Sequence, residues 1–157
     1  MMAEKVLMTP ESFDKLREEL NRLQKVERPK IIKEIEEARA KGDLSENAEY
    51  HAAREKHAII ENRISELSKK INNAQVVDPK SVSKDRVGFG CSVLLYDLDT
   101  EENVKYTILG EDESDPNAGK ISINSPIAKA LLGKEEGDEV EVNVPAGKRR
   151  FEIEEIS

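Results

Sequence analysis

From Pro10 to about Lys41 the chain has no glycine and carries apolar residues at helical spacing, and a second such run, about Leu44 to Ala74, follows almost at once. Thr9 can serve as N-cap of the first run, with Pro10 at the first helical position, where its missing N–H costs nothing. Phe13, Leu16, Leu20, Leu23, Ile31, Ile35 and Ala38 form one stripe, continued through the polar Glu27, with spacings 3-4-3-4-4-4-3. Against a strict heptad this pattern holds an insertion, which predicts local unwinding. Pro29 lies in the same stretch, either as a kink or as a packing flaw without function. The second stripe, Tyr50, Ala53, His57, Ile60, Ile64, Leu67, Ile71 and Ala74, alternates by three and four throughout. Only Lys41 and Gly42, with Asp43 at most, separate the runs, so they must fold back antiparallel as a tight hairpin. Arms of roughly 30 residues are about 45 Å long. That exceeds a small domain, so the arms must cover each other and the Gly42 turn must project. Near the turn the seam offers only Ala38, Tyr50 and Ala53, which predicts a less stable tip, suited to reaching into something narrow.

The turn places Asp43 and Glu46 three residues apart. If the second helix has begun by Asp43, they share one face at the point of greatest reach. Asp43 as N-cap with Glu46 reaching back from the third helical position is a capping box, and acids in a first turn are favoured by the helix dipole. Two adjacent carboxylates can also hold Mg²⁺, though that ion keeps several waters and needs further ligands, so the tip would be half of a site completed by a partner. Spacing leaves both readings open, and they are compatible.

Asp78-Pro79-Lys80-Ser81 ends the helical pattern. Beyond it come strand-like runs at Val93–Tyr96, Val104–Leu109, Lys120–Ile123, Val140–Val144 and Phe151–Ile156, whose alternation predicts a half-buried antiparallel sheet. Ser125, Pro126 and Gly133 bracket a short helix as N-cap, first residue and stop. Gly88 and Gly90 read as a turn or bulge, because no helix follows as a phosphate-binding loop requires. The fold class is therefore α+β, with a helical hairpin over residues 1–77 and a small mixed domain over 78–157.

Charge separates the two parts. Residues 1–74 carry 15 basic and 15 acidic residues, and residues 75–157 carry 10 and 18, so the net charge of −8 belongs to the second part. Such a balance argues against wrapping duplex DNA, and 3 Tyr, 3 Phe and no Trp leave few platforms for stacking single-stranded nucleic acid. A single cysteine, Cys91, no apolar run of membrane-spanning length and no signal-peptide stretch in MMAEKVLMTPESF lead us to expect a reducing cytoplasm and no membrane partner. No catalytic constellation is visible. His51 and His57 lie six apart, off the spacing of a helical metal pair, with His57 on the seam. Cys91 reads as a small apolar residue, Lys148-Arg149-Arg150 as a solvated turn, and the acidic runs Asp97–Glu102 and Glu111–Asp115 as polar loops.

The run from Ala38 to Glu55 (ARAKGDLSENAEYHAARE), with Arg28-Pro29, Asn73-Ala74-Gln75-Val76 and the stretch from Gly119 to Asp138 (GKISINSPIAKALLGKEEGD), resembles the GreA family of bacterial transcript-cleavage factors over nearly the whole chain. The resemblance implies an N-terminal antiparallel coiled coil and a C-terminal domain similar to the FK506-binding-protein fold. It implies a transcription elongation factor that inserts its coiled coil into the secondary channel of bacterial RNA polymerase and stimulates cleavage of the RNA 3′ end in backtracked elongation complexes. The polymerase, not the factor, would be the enzyme, with a cytoplasmic location on nucleoid-bound polymerase. Carried over to this chain, Asp43 and Glu46 would be the catalytic and metal residues, sharing a Mg²⁺ with the polymerase active centre that the free protein does not bind tightly. Arg39, Arg54 and Lys56 would steer the tip past RNA phosphates or polymerase acids, and Ser125 and Pro126 would belong to the polymerase-docking segment. The alternatives are a channel inhibitor of the same architecture, which intact tip acids argue against, and a coiled-coil adaptor with a merely capped tip. A chaperone or prolyl isomerase role is weaker, since the small domain has few aromatic residues for a peptide cleft.

Overall fold

A computed structural model describes residues 5–157, which form two compact units. One is Phe13–Ala74, and the other combines Lys5–Ser12 with Gln75–Ser157. The division expected after residue 77 thus falls after Ala74, and the segment before the hairpin joins the second unit. Its strand β1 (Val6–Met8) forms a two-stranded sheet with β2 (Ala74–Val76), neither of which the alternation pattern announced. Gly110 is required beside it, because a Cβ there would lie 2.6 Å from the Leu7 carbonyl oxygen. Thr9 donates from its N–H and its hydroxyl to the two Glu113 carboxylate oxygens (3.2 and 2.8 Å), while its hydroxyl oxygen accepts the Ser12 N–H as helix cap.

Residues 10–39 are helical throughout, as α1 (Pro10–Arg22), a π-helical turn (Leu23–Glu27) and α2 (Arg28–Arg39). The π turn is where the sequence pattern carries its insertion. Eight residues separate the buried Leu23 and Ile31 where a heptad has seven, and the wider turn houses the extra one, keeping both on the seam. Arg28 N–H reaches back to the Leu23 carbonyl, and Pro29, which has no N–H to give, follows directly.

The return arm is α3 (Ala48–Asn72), about 37 Å long at the usual helical rise. Leu16, Leu23, Ile31 and Ala38 bury against the line Tyr50, Ala53, Ile60, Ile64 and Leu67. His57 is only half-buried, its ring nitrogen 3.4 Å from Glu61. Two bidentate ion pairs cross the hairpin, Arg28 to Glu61 (2.7 and 3.1 Å) and Arg63 to Glu19 (2.8 and 3.0 Å). The Arg28 guanidinium lowers the Glu61 carboxyl from its usual value, and Glu19 raises the Arg63 guanidinium.

The second unit is a five-stranded sheet of β3 (Ser92–Asp97), β4 (Asn103–Leu109), β5 (Lys120–Ser122), β6 (Glu139–Val144) and β7 (Gly147–Ile156), in spatial order β5-β4-β3-β7-β6. It is not wholly antiparallel: β5 runs parallel to β4, because the ten residues between them cross over instead of forming a hairpin. The short helix α4 (Pro126–Leu131) buries Ala128 and Leu131 in a core with Leu95, Ile108, Phe151 and Ile153. Cys91 is fully buried there, as a small apolar residue should be.

Lys148, Arg149 and Arg150 lie inside β7, not in a solvated turn. Arg149 pairs at 3.0 Å with Asp97, which is itself buried on β3 rather than in a polar loop, and its guanidinium sits 4.8 Å above the Phe151 ring. With that partner and the Asp99 and Thr100 N–H groups, the Asp97 carboxyl is lowered to about 2.

Candidate functional site at the hairpin tip

α2 ends at Arg39 and α3 begins at Ala48, so the connection is eight residues, not the two or three that the pattern suggested. Gly42 sits within it at φ +140°, a backbone conformation that side chains disfavour. Asp43 is not the N-cap of α3 and Glu46 is not its third residue. That place belongs to Asn47, whose side-chain oxygen accepts the Tyr50 N–H at 3.0 Å. Asp43, Ser45 and Asn47 are all competent caps. What sets Asn47 apart is a second bond: its Nδ2 donates to the Ala38 carbonyl at the end of α2, 2.6 Å away.

Freed from capping the helix, Asp43 forms a turn of its own. Its Oδ1 accepts both the Ser45 N–H (3.0 Å) and the Ser45 hydroxyl (2.9 Å), which hold the carboxyl below its usual range, hydroxyl first. Both bonds use one oxygen and leave Oδ2 to the solvent. Glu46 is exposed, and its carboxylate has no ion pair or hydrogen bond among the described residues. Together with Lys41, Asn47, Ala48 and Glu49 these two acids line an open cleft of about 430 Å³. Glu49 is engaged separately, by the Lys41 ammonium at 2.9 Å, which also raises the Lys41 pKa.

Among the described residues no set of three or more His, Cys, Asp and Glu is arranged to hold a metal. Two carboxyl groups with free oxygens nevertheless suit Mg²⁺, which prefers oxygen ligands and retains water. Two side chains are fewer donors than such an ion takes, so water or other groups would have to supply the rest.

The arginines sit just behind the acids. Arg39 on α2 and Arg54 on α3 place their guanidiniums 5.9 and 5.7 Å from the Tyr50 ring centroid. Hydrogen bonding from Arg39, with the Arg54 charge in support, lowers the Tyr50 phenol from its usual value. Lys56 lines a second cleft of about 380 Å³ between the arms, with Glu34, Glu37, Ala52 and Lys41 among its neighbours. Ser125 and Pro126 lie in the second unit at the start of α4, where the Ser125 hydroxyl accepts the Ala128 N–H at 3.3 Å. The sequence reading placed Tyr50 on the seam, where it is buried, but missed Asn47 and Ser45. The available signal was the Asn three residues before the first seam residue of the second arm.

The hairpin and the mixed-sheet unit each fall within the span of a known family's profile. The N-terminal profile of transcription elongation factors matches residues 6–76, and the GreA/GreB C-terminal profile matches residues 82–157. The chain belongs to the GreA/GreB family of transcription elongation factors. It is 54% identical over 156 residues to the transcription elongation factor GreA of Thermodesulfovibrio yellowstonii, covering 99% of each chain. It is 56% identical over 149 residues to GreA of Sulfurovum sp., covering 95% of this chain and 92% of that one. With GreA of Helicobacter hepaticus the identity is 54% over 149 residues, at 95% and 91% coverage. Among the described residues no helix is long and apolar enough to cross a membrane.

Proposed function

We propose that this chain is a transcript-cleavage factor. It binds bacterial RNA polymerase in backtracked elongation complexes, passes its hairpin into the secondary channel, and stimulates the polymerase to hydrolyse the extruded RNA 3′ end. The observation that carries this reading is the pair of exposed carboxylates, Asp43 and Glu46, in a turn at the end of a hairpin whose arms bury each other. Such a tip gains its chemistry from what it meets.

Asp43 and Glu46 would hold a Mg²⁺ in common with polymerase carboxylates and RNA phosphates. When bound there, that ion supplies Lewis acidity and a more acidic water for phosphodiester hydrolysis. On this chain the two bonds from Ser45 lower the Asp43 carboxyl below its usual range, which favours the charged form that a metal binds. Glu46 offers the second oxygen. Arg39 and Arg54 are held beside Tyr50 and, with Lys56, supply positive charge along the tip, where RNA phosphates or polymerase acids would pass. Ser125 and Pro126 contribute to docking of the second unit on polymerase. The chain itself is no hydrolase in this scheme: it lends ligands to the enzyme, in the bacterial cytoplasm wherever polymerase is transcribing.

The test adds the protein and Mg²⁺ to stalled, backtracked polymerase and follows shortening of 3′-extruded RNA. The native chain should accelerate cleavage. Asp43→Asn and Glu46→Gln should each lower it on the order of 100-fold while still competing for polymerase. Polymerase binding without cleavage by the native chain would make it a channel blocker instead, and full activity of both variants would reduce the two acids to loop residues.

A further inference from the structure

We infer that Asn47 is a positioning residue for transcript cleavage: its carboxamide spans the tip and fixes the loop that carries Asp43 and Glu46. This inference rests on the reading of those acids given above. The Asn47 Oδ1 accepts the Tyr50 N–H of α3 at 3.0 Å, and its Nδ2 donates to the Ala38 carbonyl of α2 at 2.6 Å. One short side chain thereby ties the start of one arm to the end of the other. The two tied residues, Ala38 and Tyr50, are both buried. Ala38 also receives the Lys41 N–H on the same carbonyl at 3.2 Å, so the first bend of the loop is anchored to the same oxygen.

With its ends held this way, the segment between Arg39 and Glu46 closes over a fixed gap. The Asp43 turn, built on Ser45, is thereby set at a fixed place relative to Glu46. Other contacts also reach across or into the loop: the Lys41–Glu49 ion pair, the Arg39 guanidinium on Tyr50, and the His51 ring nitrogen 3.4 Å from the Ser45 carbonyl. The first two rest on long, flexible side chains and the third is long for a hydrogen bond, so none defines the gap as closely as Asn47. An Asn at this position is chemically specific. Aspartate or serine would cap α3 equally well, but the ionised aspartate has no proton to donate, and the serine hydroxyl ends one bond short of the Nδ2 position that reaches the Ala38 carbonyl.

That difference supplies the test. Asn47→Ser and Asn47→Asp keep an acceptor for Tyr50 N–H and lose the bond to Ala38, the first without and the second with an added charge. Both should bind polymerase with half-saturating concentrations within about twofold of native, because the docking unit and the arms are untouched. At saturating factor, both should cleave backtracked RNA about 10-fold more slowly, since small misplacements of reacting groups carry costs of this size. Both should also require more Mg²⁺ for half-maximal rate. A residue that merely stabilises the fold would change the amount of folded factor, and its saturated rate would remain native.

A native saturated rate in Asn47→Ser therefore overturns the inference, while leaving the assignment of Asp43 and Glu46 intact. The free chain gives an independent reading through ¹⁵N order parameters of residues 42–46, which should fall in Asn47→Ser while those of residues 55–67 stay native. Unchanged tip order in that variant overturns the inference whatever the cleavage assay shows. Cleavage failure by the native chain would instead count against the proposed function itself.

Discussion

The body of the hairpin and its tip are made from the same two arms but held by different means. In the body, Ile31 and Leu67 are almost wholly buried, and two bidentate arginine–carboxylate pairs brace the arms from outside. At the tip, the seam thins to Ala38, Ala53 and Tyr50, and order passes to short polar side chains, Asn47 across the gap and Ser45 on Asp43. Apolar burial is strong and non-directional, so it suits a rod that has only to stay closed. Hydrogen bonds contribute less but fix direction, so they suit a loop that must present two carboxylates without burying them. Glu19 and Glu61 of the body are engaged by arginines of the facing arm, whereas Glu46 and one oxygen of Asp43 face solvent.

The largest expected effect strikes the body. Leu67→Ala removes a fully buried side chain at the seam and should cost about 3 kcal/mol, read by urea denaturation of the hairpin signal, with slowly exchanging amides lost along both arms. A cost near zero would mean that polar braces, not the seam, hold the body. Arg63→Met comes next, at roughly 1 kcal/mol, because both partners are about a third exposed and partly screened. Added salt should weaken the native hairpin and leave this variant less affected.

The smallest effect is pH-dependent. The Glu61 carboxyl lies below its usual value of 4.5, with the Arg28 guanidinium as first cause and His57 beside it. A depressed folded pKa means that the contribution is complete above the unfolded value and is lost as pH falls through the folded one. Acidification below about pH 4.5 should therefore loosen the body at Glu61, and Glu61→Gln should flatten that part of the profile without altering its neutral-pH slope. A profile that is identical in the variant would show that this pair contributes nothing to the contrast between body and tip.

Much of this was legible in the residues. The stripes from Leu16 to Ala38 and from Tyr50 to Leu67 are the ones that bury, and the insertion between Leu23 and Ile31 became the π turn. The five strands of the sheet stand within a few residues of the expected runs, and Ser125-Pro126 opens α4. Asp43 and Glu46 were recognisable as residues of interest, but their setting was not, because Asp43, Ser45 and Asn47 have the same local competence to cap a helix. β1 was missed because three residues, Val6–Met8, are too few for alternation to register, and their pairing partner lies almost seventy residues away. The parallel β4–β5 pair and the Arg149–Asp97 contact escaped for the same reason, since both join segments whose proximity is set by the sheet.

The sequence by itself determined the two arms, their antiparallel return at Gly42, the α+β division and the presence of two acids at the turn. These follow from periodicity, loop length and charge, which act over a few residues. Only the tertiary structure decided which residue caps the second arm, and hence that Asp43 keeps one oxygen bound and one free. That decision belongs to contact between the arms, because Asn47 is the candidate whose side chain meets both the Tyr50 N–H and, across the gap, the Ala38 carbonyl.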